Sequence, residues 1–209
     1  VEGSAELQAS PDIAVISLAV ESVQKLSIDA KKDVDDRVNN LLDGLGKFNV
    51  DKDNVSASTI TTRPNYSYTN NKRELVDYTA SRDITVTLNN LDYLNDFMDF
   101  ALSVKINSIR NIELKSSKAS SLKDEVNLLA VENAKQQGKS LAGAFGAKLG
   151  KIYSINAISN NSNFRFGANK DIERITTSRL SAPSRPGEYL QESIVFSATI
   201  HAVFDLEVD

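Results

Sequence analysis

The chain has 209 residues, of which 41% are hydrophobic and 25% are charged, a composition typical of a globular protein with a buried core. Its formal net charge of -4 argues against a nucleic-acid binder, because phosphate recognition requires a basic surface. The lack of cysteine excludes disulfides, thiolate metal sites and a cysteine nucleophile, and no apolar run approaches the about 20 residues of a membrane-spanning helix.

The N-terminal region predicts two strands. A short strand-like segment ends at the turn signal Pro11-Asp12, and residues 12–24 form a β-branched run that is apolar on both faces at first. Because the chain begins with Val1 and not with methionine, we expect a processed or trimmed chain, with any signal peptide upstream of Val1 removed.

A helix is predicted from Ser27 to about Lys47. Ser27 is a suitable N-cap, Asp29 falls in the first turn, and Gly44 and Gly46 mark the end. The apolar stripe expected to face the core recurs at close to helical spacing and comprises Ile28, Val34, Val38, Leu41, Leu42 and Leu45.

The middle of the chain predicts a long hairpin followed by a helix and a strand. A strand from about Val55 to Tyr68 and a return strand from Leu75 to Leu88 flank a polar tip at residues 69–72. A short helix is then expected from about Leu91 to Val104, and a strand at residues 106–115.

The last third predicts a long helix and two more strands. Ser120 or Ser121 is expected to cap a helix at about 121–146, and its small residues Ala130, Ala134 and Gly138 permit close packing on a neighbour. Strands are predicted at residues 152–158 and from Ile194 to Leu206, where apolar and polar residues alternate clearly.

These elements predict an α+β fold. We expect a largely antiparallel sheet built from two βαβ-type halves, with helices packed on one face, and a single domain over residues 1–209. Since long strands leave edges that need covering, we expect residues 3–9 and 195–205 to lie near sheet edges and to support a homo-oligomer.

Residues 160–188 differ from the rest of this acidic chain. They form a long polar stretch with more basic than acidic residues, which is typical either of a functional loop or of a surface loop without a partner. We expect partner or ligand contacts from this stretch and from two tyrosines beside the hairpin tip, namely Tyr66, Tyr68, Phe164, Arg165, Phe166, Arg174 and Arg179.

The sequence lacks an enzyme signature. His201, the one histidine, lies on the polar face of the last strand, so a hydrolase based on it is the weakest of three hypotheses. One histidine without cysteine cannot build a common zinc site, and the acidic turn that begins at Asp51 lacks the glycine and the final acid of a calcium loop. No metal or cofactor is therefore predicted.

Taken in order, several short motifs resemble the SIMPL family of bacterial envelope proteins. The matching motifs are Val1-x-Gly3, Pro11-Asp12-x-Ala14, Arg63-Pro64-Asn65-Tyr66, Tyr78-x-Ala80 before Ile84-Thr85-Val86, Ala130 and Ala134 with Leu141-Ala142, Phe145 to Lys151, and Pro186-Gly187-Glu188-Tyr189. The chain departs from the family pattern at Asp77 and at Val104-Lys105, where the family favours glycine, and its polar insertion before Pro186 is long.

The resemblance implies an exported α+β protein, periplasmic or attached to the cell surface, that forms ring-like oligomers. It also implies a loose connection with immunogenicity and oxidative-stress tolerance, and it brings no catalytic residues with it. The leading hypothesis is thus a non-enzymatic, self-assembling envelope protein. The alternative is an envelope module that binds a glycan, a peptide or a lipid headgroup.

Overall fold

This computed structural model describes residues 1–69, 72–158 and 193–208, in which the strands pair antiparallel. The helices and strands in chain order are β1 (Glu2–Ala9), β2 (Ile13–Gln24), α1 (Ser27–Gly44), β3 (Val55–Ala57), β4 (Thr61–Thr69), β5 (Lys72–Leu88), α2 (Leu94–Ser103), β6 (Ser108–Lys115), α3 (Ala119–Ala144), β7 (Lys148–Ile158) and β8 (Ile194–Glu207). The predicted α+β class is confirmed.

The described strands form two sheets where the sequence suggested one, and the chain divides into two compact units. Unit 1 comprises Val1–Pro11 and Ser116–Asp209, and unit 2 comprises Asp12–Lys115. A single family domain over residues 1–209 stays a prediction.

Unit 2 has a sheet with the strand order β3-β5-β2-β6, and β4 also pairs with β5. The β-branched run of β2 lies opposite the alternating end of β5, so that Ile16 faces Val86 and Leu18 faces Ile84. All four side chains are buried, and Val34 of α1 packs into the same core. Burial of both the sheet face and the helix stripe stabilises this unit, at about 25 cal/mol per Å² of apolar surface.

The prediction of one continuous strand from Val55 to Tyr68 is wrong, because the strand is interrupted between β3 and β4. Ser58 leaves the ladder between β3 and β4, and its backbone N–H donates to the carbonyl oxygen of Asp83 at 2.9 Å. The hydroxyl of Ser58 accepts from the backbone N–H of Asp83 at 3.0 Å, and its carbonyl accepts from Arg82 Nε at 2.8 Å. These bonds to β5 replace regular pairing, so β3 and β4 are separate strands on one partner.

The start of α1 also differs from the prediction. Leu26 occupies the N-cap position in an extended conformation, and Ser27 is the first helical residue. Ile28 and Leu42 are exposed, because they lie off the helix face that buries Val34 and Leu41.

A polar cluster ties α1 to the end of β2. The hydroxyl of buried Ser22 donates to Asp33 Oδ2 at 2.6 Å, and Arg37 donates to both carboxylate oxygens of Asp33, at 2.6 and 3.1 Å. The Ser22 hydrogen bond, assisted by the Arg37 guanidinium, holds the pKa of Asp33 below its usual value. Part of the acidic face of α1 is therefore structural.

Among its described residues, unit 1 has a sheet with the strand order β1-β8-β7 and one helix, α3. The helix is close to its predicted range, but its N-cap is Lys118, so Ser120 and Ser121 do not cap it. The alternation along β8 is confirmed: Phe196, Ala198 and other apolar residues on its even-numbered face are buried. The expected edge position of residues 195–205 is wrong, because β8 is the central strand.

Candidate interaction surfaces

A two-stranded ribbon extends from the sheet of unit 2. Strand β5 pairs with β2 only from Tyr78 to Leu88, whereas residues 72–77 pair with β4 alone among the described strands. At about 3.4 Å per residue, this ribbon continues for roughly 20 Å beyond β2. Both of its faces are accessible, and a ribbon of two strands buries little apolar surface by itself.

The two tyrosines expected to contact a ligand lie on one face of this ribbon. Tyr66 is opposite Leu75 and Tyr68 is opposite Arg73, so the four side chains share a face. The guanidinium carbon of Arg73 lies 3.6 Å from the centroid of the Tyr66 ring, which is a cation–π contact. The side chain of Tyr68 is 73% exposed. The ribbon thus presents a flat aromatic surface beside a positive charge.

The other predicted contacts fall outside the described residues. They are Phe164, Arg165, Phe166, Arg174 and Arg179, together with the polar stretch at 160–188.

In unit 1, helix α3 approaches the sheet closely over β1 and β8. From residue 130 onward its buried residues are small: Ala130, Ala134, Gly138 and Ala142 follow one another at helical spacing. Gly3 of β1 packs directly against the backbone of this stripe, and a β-carbon there would lie 2.6 Å from the Ala134 β-carbon. The predicted close packing of the small-residue stripe is therefore confirmed, and its partner is β1 together with β8.

This placement of α3 leaves the helix-facing side of β7 largely uncovered. Ile152 lies opposite Phe204 and Ile155 lies opposite Ala202, so both isoleucines point to the side that α3 covers over β8. Even so, Ile152 is 48% exposed and Ile155 is 59% exposed. Isoleucine is usually buried, so two half-exposed isoleucines on one strand mark a surface suited to a partner.

A groove of about 250 Å³ adjoins this strand within unit 1. It lies between the end of α3 and the strands β7 and β8, and its apolar lining includes Leu141, Phe145, Leu149, Phe204 and Leu206. Phe145 is 82% exposed at its rim. The groove and the exposed side of β7 together form a candidate interaction surface, which we call the β7 surface.

Sequence reasoning missed the β7 surface. The pattern of Ile152, Tyr153 and Ile155 is also that of a buried strand, and exposure depends on where α3 lies. One signal was available: the stripe Ala130–Ala134–Gly138–Ala142 implies that the large side chains Leu141 and Phe145 lie beside the contact with the sheet.

The polar groups show no catalytic constellation in the described part of the chain. His201 lies opposite Glu2 on β1 and Asn156 on β7, with His201 Nδ1 3.8 Å from Glu2 Oε2. A contact between two partly exposed side chains on neighbouring strands is the arrangement of a surface histidine. No group of three or more metal-ligating side chains converges within residues 1–69, 72–158 and 193–208.

These observations define a class: an α+β protein whose candidate sites are exposed surfaces suited to binding a partner. Of the helices in the described ranges, none is both long and apolar enough to span a membrane. The profile of the SIMPL family, described as a protein of unknown function (DUF541), matches residues 1–204. The chain belongs to this family, as its motifs suggested.

Several relatives cover most of the chain. The uncharacterized protein YggE of Edwardsiella ictaluri is 35% identical over 98% of this chain and 84% of its own length. YggE of Escherichia coli K12 is 33% identical over 98% of this chain and 81% of its own length. The 26 kDa periplasmic immunogenic protein of Brucella melitensis is 26% identical over 76% of this chain and 66% of its own length. The family has no established function and includes a protein named as periplasmic.

Proposed function

We propose that this chain is a non-enzymatic protein of the bacterial periplasm or cell surface that assembles with copies of itself into a ring-like oligomer. The observation that carries the proposal is the β7 surface, an apolar groove that continues onto an exposed strand. Monomeric proteins rarely expose a contiguous apolar patch of this kind, and such patches mark interaction sites.

The shape of the β7 surface favours a protein partner over a small ligand. The groove is open, and Phe145 and Ile155 project at its rim and beside it. Small-molecule sites enclose most of their ligand, whereas a shallow apolar surface gains most from contact with a complementary protein face.

The proposed location of the protein in the cell rests on its relatives. The Brucella relative is named as a periplasmic immunogenic protein, and the 35% identity to a bacterial relative supports a bacterial setting. The resemblance to the family supports a contribution to oxidative-stress tolerance. Since the chain has one methionine and no cysteine, we propose that this contribution is structural and not a redox reaction of the chain itself.

Self-assembly predicts a solution mass above that of one 22.9 kDa chain. Light scattering coupled to size-exclusion chromatography is expected to give a larger species whose share grows with protein concentration, because association follows mass action. A mass of one chain across a hundredfold range of concentration, up to about 100 μM, would contradict the proposal, since an interface with a Kd of about 1 μM is saturated there.

A second candidate function is supported by the ribbon of unit 2. The Tyr66–Arg73 stack and the exposed Tyr68 form a face that suits sugar rings and anionic groups, as in a bacterial glycan, peptide or lipid headgroup. Neither tyrosine is part of the buried core of unit 2. The ribbon is therefore proposed as an envelope ligand-binding surface.

Replacing Tyr66 and Tyr68 together with alanine is expected to weaken binding of soluble peptidoglycan fragments by roughly tenfold or more, since each aromatic contact contributes about 0.5–1.5 kcal/mol. Isothermal titration calorimetry of the variant and the parent measures the change. Tyr153→Ala is the matched control, because Tyr153 is a similarly exposed tyrosine on β7. Equal affinities for the parent and the double variant would reject the ribbon as the binding surface.

A further inference from the structure

An open cavity of about 360 Å³ lies within unit 2, on the side of its sheet that faces away from α1. Ser22 of β2 faces α1, because its hydroxyl donates to Asp33, so the neighbouring side chains of Glu21 and Val23 project from the other side. The residues that line the cavity are Ala19, Glu21, Val23, Asn107, Ser108 and Arg110. Its volume falls at the lower end of the range for small-molecule sites, roughly 300–1,000 Å³, so it suits a small ligand.

A β-bulge in β6 directs Arg110 over this cavity. The pairing of β2 with β6 shifts between Ser17 and Leu18, and Arg110 is the extra residue, without a partner on β2. Bulges of this kind re-aim a side chain and are common beside functional sites. Arg110 Nη1 lies 2.8 Å from Asp83 Oδ1 of β5, so the guanidinium crosses over Ala19, the β2 residue opposite Asp83. Since a guanidinium has five N–H donors, donors remain for a second carboxylate.

The opposite charge in the cavity belongs to Glu21, whose backbone is held by Asn107. The backbone N–H of Glu21 donates to Asn107 Oδ1 at 2.7 Å, and Asn107 Nδ2 donates to the carbonyl oxygen of Glu21 at 2.9 Å. The side-chain amide of Asn107 thus extends the pairing of β2 beyond the first residue of β6, Ser108. These bonds fix the point at which the Glu21 side chain leaves the strand. Among the described residues, its carboxylate has no ion pair.

We propose that this cavity binds the zwitterion of a small α-amino acid. The carboxylate of Glu21 accepts hydrogen bonds from the ammonium group of the ligand, and Arg110 donates to its carboxylate. Ala19, which is 6% exposed, forms an apolar floor, and Val23, which is 50% exposed, offers an apolar wall to a short aliphatic side chain. All of these residues lie in unit 2, so the proposal does not depend on self-assembly through the β7 surface.

The charges around the cavity favour a zwitterion over a ligand with a single charge. An anion alone would meet the carboxylates of Glu21 and Asp83 beside one guanidinium. An amine alone would pair with Glu21 but would leave the remaining donors of Arg110 without an acceptor from the ligand. A carboxylate and a guanidinium that line one cavity, with the guanidinium paired to a different acid, are complementary to a ligand that carries both charges close together.

Isothermal titration calorimetry of the full chain with L-alanine tests the proposal. Ethylamine and propionate are the matched ligands, because each keeps the carbon skeleton or most of it and only one of the two charged groups. We expect a Kd of about 0.1–1 mM for L-alanine and binding of either analogue that is weaker by about tenfold or more, since each lacks one charge-assisted contact. The absence of binding heat for L-alanine at up to about 10 mM overturns the proposal. Ethylamine that binds as tightly as L-alanine overturns the assignment of a zwitterion.

Two variants assign the two charged contacts separately. Glu21→Gln is expected to weaken binding of L-alanine by about tenfold and to leave that of propionate unchanged, because propionate has no ammonium group. Arg110→Gln is expected to weaken L-alanine by a similar factor without weakening ethylamine, which has no carboxylate. Glu113→Gln is the matched control, because it makes the same change of carboxylate to amide on β6 at a residue outside the cavity lining.

The pattern across the three ligands distinguishes recognition from damage to the sheet. A merely structural role of Glu21 would weaken L-alanine and propionate alike, and that result overturns its assignment to the ammonium group. Unchanged affinity of Arg110→Gln for L-alanine overturns the assignment of the carboxylate contact. Glu113→Gln is expected to bind L-alanine as the parent does, and an equal loss in this control places the binding outside the cavity and overturns the site.

Discussion

Replacing Gly3 with alanine is expected to destabilise unit 1 more than the same substitution at Gly138, Gly143 or Gly150. The new β-carbon would overlap the carbonyl oxygen of Ala130 and the backbone nitrogen of Ala134, and it would lie 2.6 Å from the Ala134 β-carbon. These are mainly backbone atoms of α3, so no rotamer change relieves the overlap, and the helix must move away from the sheet. Overpacking of this kind costs about 1–3 kcal/mol, and a backbone clash belongs at the upper end.

The matched control for this substitution is Gly143→Ala, which adds the same methyl group to α3. A β-carbon at Gly143 meets nothing within 4 Å, and alanine is favoured over glycine in a helix by about 0.5–1 kcal/mol. Urea denaturation followed by circular dichroism is expected to show a lowered midpoint for Gly3→Ala, and an unchanged or raised one for Gly143→Ala. Equal midpoints for Gly3→Ala and the parent would mean that α3 does not pack on Gly3 as described.

The fold class was predictable because its signals are local. The alternation along β8 and the helical spacing of Val34, Val38 and Leu41 depend only on which side of an element faces a core. The interruption at Ser58 was not predictable, because it arises from hydrogen bonds to Asp83, which lies 25 residues further along the chain. Sequence patterns predict which side of a helix or strand is buried much better than they predict which strands pair with each other.

The same difference between local signals and non-local packing explains which candidate site was predicted from the sequence. Tyr66 and Tyr68 were predicted as contacts because they alternate beside a hairpin tip, where side chains are exposed whatever the sheet order. The β7 surface was missed because the exposure of Ile152 and Ile155 depends on two non-local facts. Strand β8 is central, and α3 packs over β1 and β8 but reaches β7 only near Leu149. Neither fact follows from the local pattern of apolar residues.

An aromatic cluster contains the residue of unit 2 whose replacement we expect to lower stability strongly. Phe97 of α2 is fully buried, and its ring meets the ring of Phe48 edge-on at 5.4 Å between centroids. Phe48 also contacts Phe100 at 5.4 Å and Tyr93 at 6.4 Å. Phe97 thus belongs to a connected group of rings, and removing its ring leaves a cavity that the neighbouring rings cannot fill without giving up their present contacts with one another.

Phe97→Ala is therefore expected to lower the free energy of unfolding of unit 2 by about 3–5 kcal/mol, the range for deletion of a buried phenylalanine. Phe145→Ala makes the same chemical change at a side chain that is 82% exposed, so its effect is expected to stay within about 0.5 kcal/mol. Hydrogen exchange of the β2 and β5 amides measures the difference, because those strands form the core that Phe97 joins. If both variants protect these amides equally well, the cluster does not stabilise unit 2, since a cavity beneath paired strands must appear as faster opening.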